Sequence, residues 1–231
     1  MVANNLSIVI RTCKPRLQRS TFLQHALASE FCVSTDKIIV NSKPNYSQGF
    51  FCELIRYLEH LKSTPKYILV VEDDMLFSNS AKSTLQEAIR FELPHLWCSI
   101  PEKRLVDEST KISESIRSVR IAAPLYYSGA ILFEVSFLKY VLTNYSLKYI
   151  ELTQPNFDVF VSSEILNCGG SMFLSHTSFA TDPCTSSVIE SSATQLHRFT
   201  PEHIDAYFDF NNTSPFFTTH TYTSRRLDAD I

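Results

Sequence analysis

The first 95 residues alternate between short apolar runs and longer amphipathic segments, and this alternation restricts the fold more than any other feature of the chain. The apolar runs lie at 6–10, 37–40 and 67–71, and the helical patterns lie at 17–29, 48–62 and 79–92. Short runs rich in Ile and Val suit strands that are buried on both faces of a sheet. Strands alternating with helices predict a parallel sheet with helices on both faces, joined by right-handed crossovers.

The second half of the chain has a less regular pattern. Residues 101–115 are polar and mixed in charge, which predicts a long mobile loop. The other patterns predict strands at 117–123, 131–133 and 171–174 and helices at 135–144, 157–167 and 201–208. There is no internal repeat and no convincing linker. We therefore expect one domain over residues 1–231, with two halves at about 1–100 and 101–200 and a tail at 201–231.

Composition excludes several classes of protein. Hydrophobic residues make up 44% of the 231 residues, which is enough for a buried core and excludes global disorder. The net charge is -3 without a long run of either sign, which argues against a nucleic-acid-binding surface. No apolar segment has the length of a membrane span, and the N-terminus lacks the pattern of a signal peptide. The six cysteines are scattered without a C-x-x-C pair, so we expect a cytoplasmic protein with reduced thiols.

The third apolar run leads directly into three consecutive acids, Glu72, Asp73 and Asp74. Ligands of open α/β sheets bind just beyond the carboxyl ends of the strands. Neighbouring carboxylates repel one another, and a divalent cation bound through oxygen atoms would offset that repulsion. The alternative is a solvated acidic turn that precedes the next helix. A second acidic pattern, Asp228-Ala-Asp230, follows no strand and is interpreted as a solvated terminus.

Glycine is scarce, with four residues in the whole chain. Dinucleotide-binding loops and P-loops each need several glycines at fixed spacing, so the sequence excludes both. A nucleotide bound by this chain would therefore need a metal ion to hold its phosphates.

Three features together resemble glycosyltransferases of the GT-A fold. They are a first strand that ends in Arg11-Thr12, the acidic triplet as the E-D-D form of the DxD motif, and the turn Ser128-Gly129-Ala130. The resemblance covers residues 6–180 and is to compact members, such as the small catalytic domains of bacteria and of large DNA viruses of algae. It implies a single α/β domain with a mostly parallel central sheet flanked by helices. The first half would be Rossmann-like and bind the nucleotide-sugar, and the second half would bind the acceptor.

The resemblance also implies a metal site at the acidic triplet. Asp74 would bind Mn²⁺ or Mg²⁺ directly. Asp73 is a second candidate ligand, and Asp73 or Glu72 would contact the donor ribose or a metal-bound water. His176 would complete the metal shell or bind a phosphate, and is otherwise an ordinary surface histidine. A site of carboxylate and imidazole ligands suits Mn²⁺ better than Ca²⁺.

Further residues would contact the nucleotide-sugar by the same resemblance. The set is Arg11, Thr12, Asn41, Arg56, Glu72, Asp73, Ser128 and Gly129. The glycine of the turn would let the backbone approach the sugar closely, and its alternative is an ordinary β-turn. Arg11 is equally well explained as a surface ion-pair partner. Arg56 is also explained as part of a solvated helix face.

The catalytic base implied by the resemblance is Asp158. The sequence Phe157-Asp158-Val159 is similar to the E-D-V helix start of inverting members, although Phe157 replaces the first acid. An aspartate in a first helical turn is also favoured by the helix dipole, without a catalytic role. Glu164 is the alternative base. Six residues turn a helix by about 600°, so Asp158 and Glu164 point to different sides.

These features lead us to expect a metal-dependent glycosyltransferase. It would move a sugar from a nucleoside diphosphate, UDP being favoured, to a hydroxyl of a glycan or glycoconjugate, with inversion at the anomeric carbon. We expect a monomer in the cytoplasm, that of the host if the protein is viral. One alternative is a nucleotidyltransferase similar to sugar-nucleotide pyrophosphorylases, which would need a glycine-rich segment that residues 11–15 lack. The others are a non-catalytic nucleotide-sugar-binding domain and a metal-dependent phosphoesterase.

Overall fold

The computed structural model describes most of the chain up to residue 175 and four residues beyond it. The described ranges are 5–13, 20–21, 23–24, 27–28, 37–41, 47–61, 65–73, 75–78, 80–98, 105–124, 129–148, 156–175, 180–181 and 217–218. The predicted helix at 201–208 and the acidic pattern at 228–230 lie outside these ranges.

The elements of the described residues follow the chain in this order. The strands are β1 (Leu6–Cys13), β2 (Lys37–Asn41), β3 (Tyr67–Glu72), β4 (Leu76–Ser78), β5 (His95–Trp97), β6 (Leu105–Lys111), β7 (Ile116–Ile121), β8 (Ala130–Glu134), β9 (Ser171–Ser175), β10 (Ala180–Thr181) and β11 (Phe217–Thr218). The helices are α1 (Ser47–His60), α2 (Ala81–Arg90), α3 (Val135–Lys148) and α4 (Phe157–Asn167). The described residues between 20 and 28 are also helical, so the predicted α/β alternation of the first 95 residues is confirmed where it is described.

Eight strands form one central sheet in the order β2-β1-β3-β8-β5-β9-β7-β6. The expectation of a mostly parallel sheet is wrong. Within the described residues of this sheet three strand pairs are parallel (β1 with β2, β1 with β3 and β5 with β9), and four are antiparallel. The cause is β8, which begins beside the end of β3 and runs back along it, and the hairpin of β6 and β7. The sheet is therefore mixed.

The expectation of a mobile loop over 101–115 is also wrong, because residues 105–111 form β6 and pair with β7. Ser113 closes the turn between these strands, since its hydroxyl oxygen accepts hydrogen bonds from the backbone N–H groups of Ser115 and Ile116. The strand β6 lies at the edge of the sheet, and edge strands commonly carry charged residues. The polar composition of this segment is therefore that of an edge strand, and it does not indicate a loop.

Helices cover both faces of the sheet, as predicted. On one face, Leu23 and Leu27 of the N-terminal helical segment pack with Leu85 of α2. On the other face, α1, α3 and α4 pack together, with Phe51 and Phe160 in their shared core. Residues of β3 alternate between the two cores, which explains why this strand is apolar throughout.

A second, smaller sheet has the order β10-β4-β11. Its central strand β4 follows the acidic segment, and Phe77 pairs with Ala180 on one side and with Phe217 on the other. Two short segments from the last third of the chain therefore lie beside the strand that follows the acids. No helix in the described ranges is long and apolar enough to cross a membrane.

Candidate functional site

The candidate site lies at the edge of the central sheet where β1, β3 and β5 end, which we call the carboxyl edge. Parallel pairing places Arg11 of β1 beside Glu72 of β3. The antiparallel strand β8 begins at the same edge, so the turn at Gly129 meets the acids. The backbone N–H of Glu72 donates to the carbonyl of Gly129 at 2.7 Å, and that of Asp73 donates to the carbonyl of Arg11 at 3.1 Å. The acidic segment is thus hydrogen-bonded to both neighbouring strands.

The carboxylate of Asp73 is buried and bonded to β1. The hydroxyl of Thr12 donates to Oδ2 of Asp73 at 2.5 Å. Only 4% of Thr12 and 5% of Asp73 are exposed. A buried carboxylate is costly unless hydrogen bonds or positive charges compensate it, so this bond stabilises the ionised form.

A positive charge lies beside the other acid. Arg11 forms an ion pair with Glu72, with 3.4 Å between the guanidinium Nη1 and the carboxylate Oε1. The two side chains lie on the same face of the sheet because they are paired residues of adjacent strands. The same guanidinium lies over the ring of Phe50 in the first turn of α1, at 5.2 Å from its centroid. Of the two explanations for Arg11, this geometry matches the ion pair.

Phe50 also connects the carboxyl edge to the start of α4. Its ring packs edge-on against that of Phe157, with 5.1 Å between the centroids. Asp158 follows directly and is half-buried in the first turn of α4. Its Oδ1 accepts a hydrogen bond from the backbone N–H of Val159 at 2.9 Å. The predicted base therefore follows Phe157, whose ring contacts the ring that lies under Arg11.

Glu164 lies elsewhere, in the interface between α3 and α4. Its Oε2 accepts a hydrogen bond from the side-chain amide of Asn144 at 2.5 Å, and its Oε1 accepts one from Asn167 at 3.2 Å. Only 1% of the residue is exposed. These surroundings favour a structural role for Glu164 over the alternative role of catalytic base.

Arg56 also points away from the carboxyl edge. It lies nine residues after the start of α1, roughly 14 Å along the helix axis from Ser47. Its side chain is 66% exposed and forms an ion pair with Glu53 at 2.6 Å. The solvated helix face, which was the alternative explanation of this arginine, matches this position.

The remaining predicted residues are only partly accounted for. The backbone of Asn41 ends β2 opposite Cys13, at the carboxyl edge. Asp74, Ser128 and His176 lie outside the described residues, although Asp73, Gly129 and Ser175 precede or follow them directly in the chain. Among described residues, no group of three His, Cys, Asp or Glu side chains is arranged to hold a metal ion.

Sequence reasoning missed two contributors to the carboxyl edge. Phe50 supports Arg11, and only its place in the first turn of the helix after β2 could have indicated it. Cys98 follows β5, a strand of three residues that is too short for a periodicity signal. The hydroxyl of Ser175 donates to the carbonyl of Cys98 at 3.4 Å, and burial raises the pKa of the Cys98 thiol. A neutral, buried thiol is a packing group and not a nucleophile.

The described acids carry ligand atoms of the type that hard divalent cations bind. Glu72 and Asp73 supply oxygen donors, which Mg²⁺ and Mn²⁺ prefer. The ion pair with Arg11 offsets the negative charge of Glu72. A scan against protein-family models finds no match for this chain, and a search of curated proteins finds no significant similarity.

Proposed function

We propose that this protein is a metal-dependent glycosyltransferase of the GT-A type. It would transfer a sugar from a nucleoside diphosphate, with UDP favoured, to a hydroxyl of a glycan or glycoconjugate. One observation supports the proposal above all others: Glu72 and Asp73 meet the ends of β1 and the Gly129 turn at the carboxyl edge of an α/β sheet. This is the edge at which such sheets bind nucleotides.

Asp73 and Asp74 would hold the metal, with His176 as a further ligand. Glu72, which is paired with Arg11, would be a supporting group beside these ligands. Mn²⁺ or Mg²⁺, when bound, would neutralise charge on the diphosphate as it departs. The chain has no glycine-rich loop that could hold the diphosphate. We therefore assign the binding of the diphosphate to the metal held by these acids.

Asp158 is the proposed general base. It would accept the proton of the acceptor hydroxyl while that oxygen bonds to the anomeric carbon and the bond to the diphosphate breaks. A single displacement of this kind inverts the configuration of that carbon. The packing of Phe157 against Phe50 supports this role, because it fixes the start of α4 relative to the strand that carries Arg11.

The first test is calorimetric titration of the protein with UDP and with GDP, each with and without Mn²⁺. We expect binding that depends on Mn²⁺ and favours UDP. Release of UDP from a panel of UDP-sugars, with and without acceptor glycans, then tests transfer. Absence of metal-dependent nucleotide binding would refute the proposal, and binding without any turnover would indicate a non-catalytic domain.

The chain offers a matched pair of variants for the metal site, because it contains two acidic patterns. Asp74→Asn removes a carboxylate from the triplet after β3, and Asp230→Asn removes one from the literal D-x-D pattern near the end of the chain. We expect Asp74→Asn to abolish turnover without unfolding the protein and Asp230→Asn to leave turnover unchanged. Full activity of Asp74→Asn would remove that residue from the proposed site.

A further inference from the structure

Thr12 has a different relation to the site from the one that its sequence position suggests. The resemblance places it against the base or ribose of the donor. In the structure it is 4% exposed, and its hydroxyl donates to Oδ2 of Asp73. A threonine hydroxyl has one proton to donate, and this proton is used within the protein.

The strand β1 holds Asp73 at two points. The carbonyl of Arg11 accepts the backbone N–H of Asp73, and the hydroxyl of the next residue, Thr12, binds its carboxylate. The first bond fixes the backbone of the acidic turn, and the second fixes the rotation of the side chain. Thr12 is itself β-branched and restricted about χ1, so its hydroxyl is a rigid donor.

We propose that Thr12 is a positioning residue, which orients the carboxylate of Asp73 toward the cation and makes no contact with the donor. The inference rests on the proposed function, because it concerns the same acids. Groups that bind a metal ligand from behind typically change metal affinity by a factor of about 10 to 100 when they are removed. Thr12 stands in this relation to Asp73.

The same strand supplies a matched control. Ser7 is also a buried hydroxyl residue of β1, 1% exposed, and its hydroxyl is hydrogen-bonded to that of Tyr57 at 2.9 Å. It lies five residues before Thr12, toward the opposite end of the strand. Removing either hydroxyl breaks a buried side-chain hydrogen bond of β1, but only the bond of Thr12 is made to an acid of the site.

The experiment measures the affinity for Mn²⁺ in the presence of UDP, from the signal of free Mn²⁺ in electron paramagnetic resonance. Wild type is compared with Thr12→Val, Thr12→Ser and Ser7→Ala, and thermal unfolding is recorded for each. We expect Thr12→Val to weaken Mn²⁺ binding about tenfold. Thr12→Ser keeps the hydroxyl and should stay within about twofold of wild type, and Ser7→Ala should bind Mn²⁺ like wild type even where its Tm is lower.

The outcomes separate the two proposals. If wild type binds Mn²⁺ and Thr12→Val binds it equally well, the inference about Thr12 is overturned and the proposed function stands. If Ser7→Ala or Thr12→Ser weakens binding as much as Thr12→Val, the effect is general loosening of β1, which also overturns the inference. If wild type binds no Mn²⁺ in the presence of UDP, both proposals fail.

Discussion

Two buried carboxylates, Asp73 and Glu164, have nearly the same local chemistry and very different places in the fold. Each is at least 95% buried, and each accepts a side-chain hydrogen bond at 2.5 Å, from Thr12 and from Asn144 respectively. Asp73 stands at the end of a central strand, next to the ion pair of Arg11 and Glu72. Glu164 lies between two helices, with amide donors on both of its oxygens.

Burial and hydrogen bonding alone therefore do not separate Asp73, which we propose as a metal ligand, from the structural acid Glu164. Bonding of both oxygens in a helix interface stabilises packing, because the donors belong to the helices that the acid joins. At the carboxyl edge, the bonds fix an acid where parallel strands end and where ligands of α/β sheets bind. Position in the topology, and not burial, is the reason to assign function to Asp73.

The sharpest test of this comparison exchanges each acid for its amide. Asp73→Asn should lower turnover of the UDP-sugar by roughly 1,000-fold, since metal stabilisation of transition-state charge is worth several kcal/mol. Glu164→Gln should leave turnover nearly unchanged but lower the free energy of unfolding by about 1–3 kcal/mol, because its new amide N–H₂ faces the amide donor of Asn144 or Asn167. Turnover assays and urea unfolding of both variants check this, and the reverse pattern would contradict the assignment of the two acids.

Asp158 provides a third acid, which differs from both because it is half-buried at a helix start. Asp158→Asn should lower kcat by about 100-fold or more, the usual contribution of a general base. Affinity for UDP with Mn²⁺ should stay unchanged, since the residue is assigned to the acceptor. Ser163→Ala, in the same helix, is the control and should behave as wild type. Loss of nucleotide affinity in Asp158→Asn would place this acid on the donor side instead.

The end of β3 at the acids was predictable because its signal is local: the strand before Glu72 is apolar on both faces. The pairing of β3 with β1, which brings Arg11 beside that acid, joins residues 61 positions apart and was not predicted. The direction of β8 was not predictable, since its run of four apolar residues has the same pattern in either direction. β6 was missed because an edge strand needs no apolar face.

The hydrogen bond from Thr12 to Asp73 and the contact of Arg11 with Phe50 could not have been read from the sequence. Both depend on which side chains meet across elements that are about 40 to 60 residues apart in the chain. Periodicity reports the face that a residue occupies, and does not report the atom that it contacts. Glu164 shows the same limit, because its amide partner Asn144 belongs to another helix.

The comparison of buried titratable groups extends to a base, His95, which lies away from the carboxyl edge. His95 is 2% exposed, lies against the rings of Phe137 and Phe173, and burial lowers its pKa from 6.5 to about 3. The unfolded chain therefore binds a proton below pH 6.5 that the folded protein does not bind until about pH 3, so stability falls as the pH falls through this window. Between pH 7 and pH 5 the loss should be about 2 kcal/mol.

His95→Phe should remove this loss, because phenylalanine does not titrate and suits an aromatic environment. Urea unfolding at pH 7, 6 and 5 measures it, and the slope with pH is the readout because the substitution also changes packing. His60→Gln, at an exposed position on α1, is the control and should keep the pH dependence of wild type. An equal slope in His95→Phe and wild type would mean that His95 is already protonated, or accessible, in the folded protein.

The smallest effect concerns Glu92, an exposed acid whose backbone conformation lowers stability while its side-chain ion pair raises it. Its φ of 54° lies in the left-handed region, where it ends α2 through hydrogen bonds from the N–H of Glu92 to the carbonyl of Ile89 and from that of Leu93 to Ala88. Glycine adopts this conformation without steric cost.

The side chain of Glu92 forms an exposed ion pair with Lys66, and such pairs contribute little to stability. Glu92→Gly should therefore raise Tm by a few degrees. Lys66→Met removes the same ion pair without changing the backbone, and should leave Tm nearly unchanged. A lower Tm in both variants would show that the ion pair outweighs the left-handed backbone at this helix end. An acid at the surface would then stabilise the fold more than its exposure suggests, against the small contribution that we assign to it.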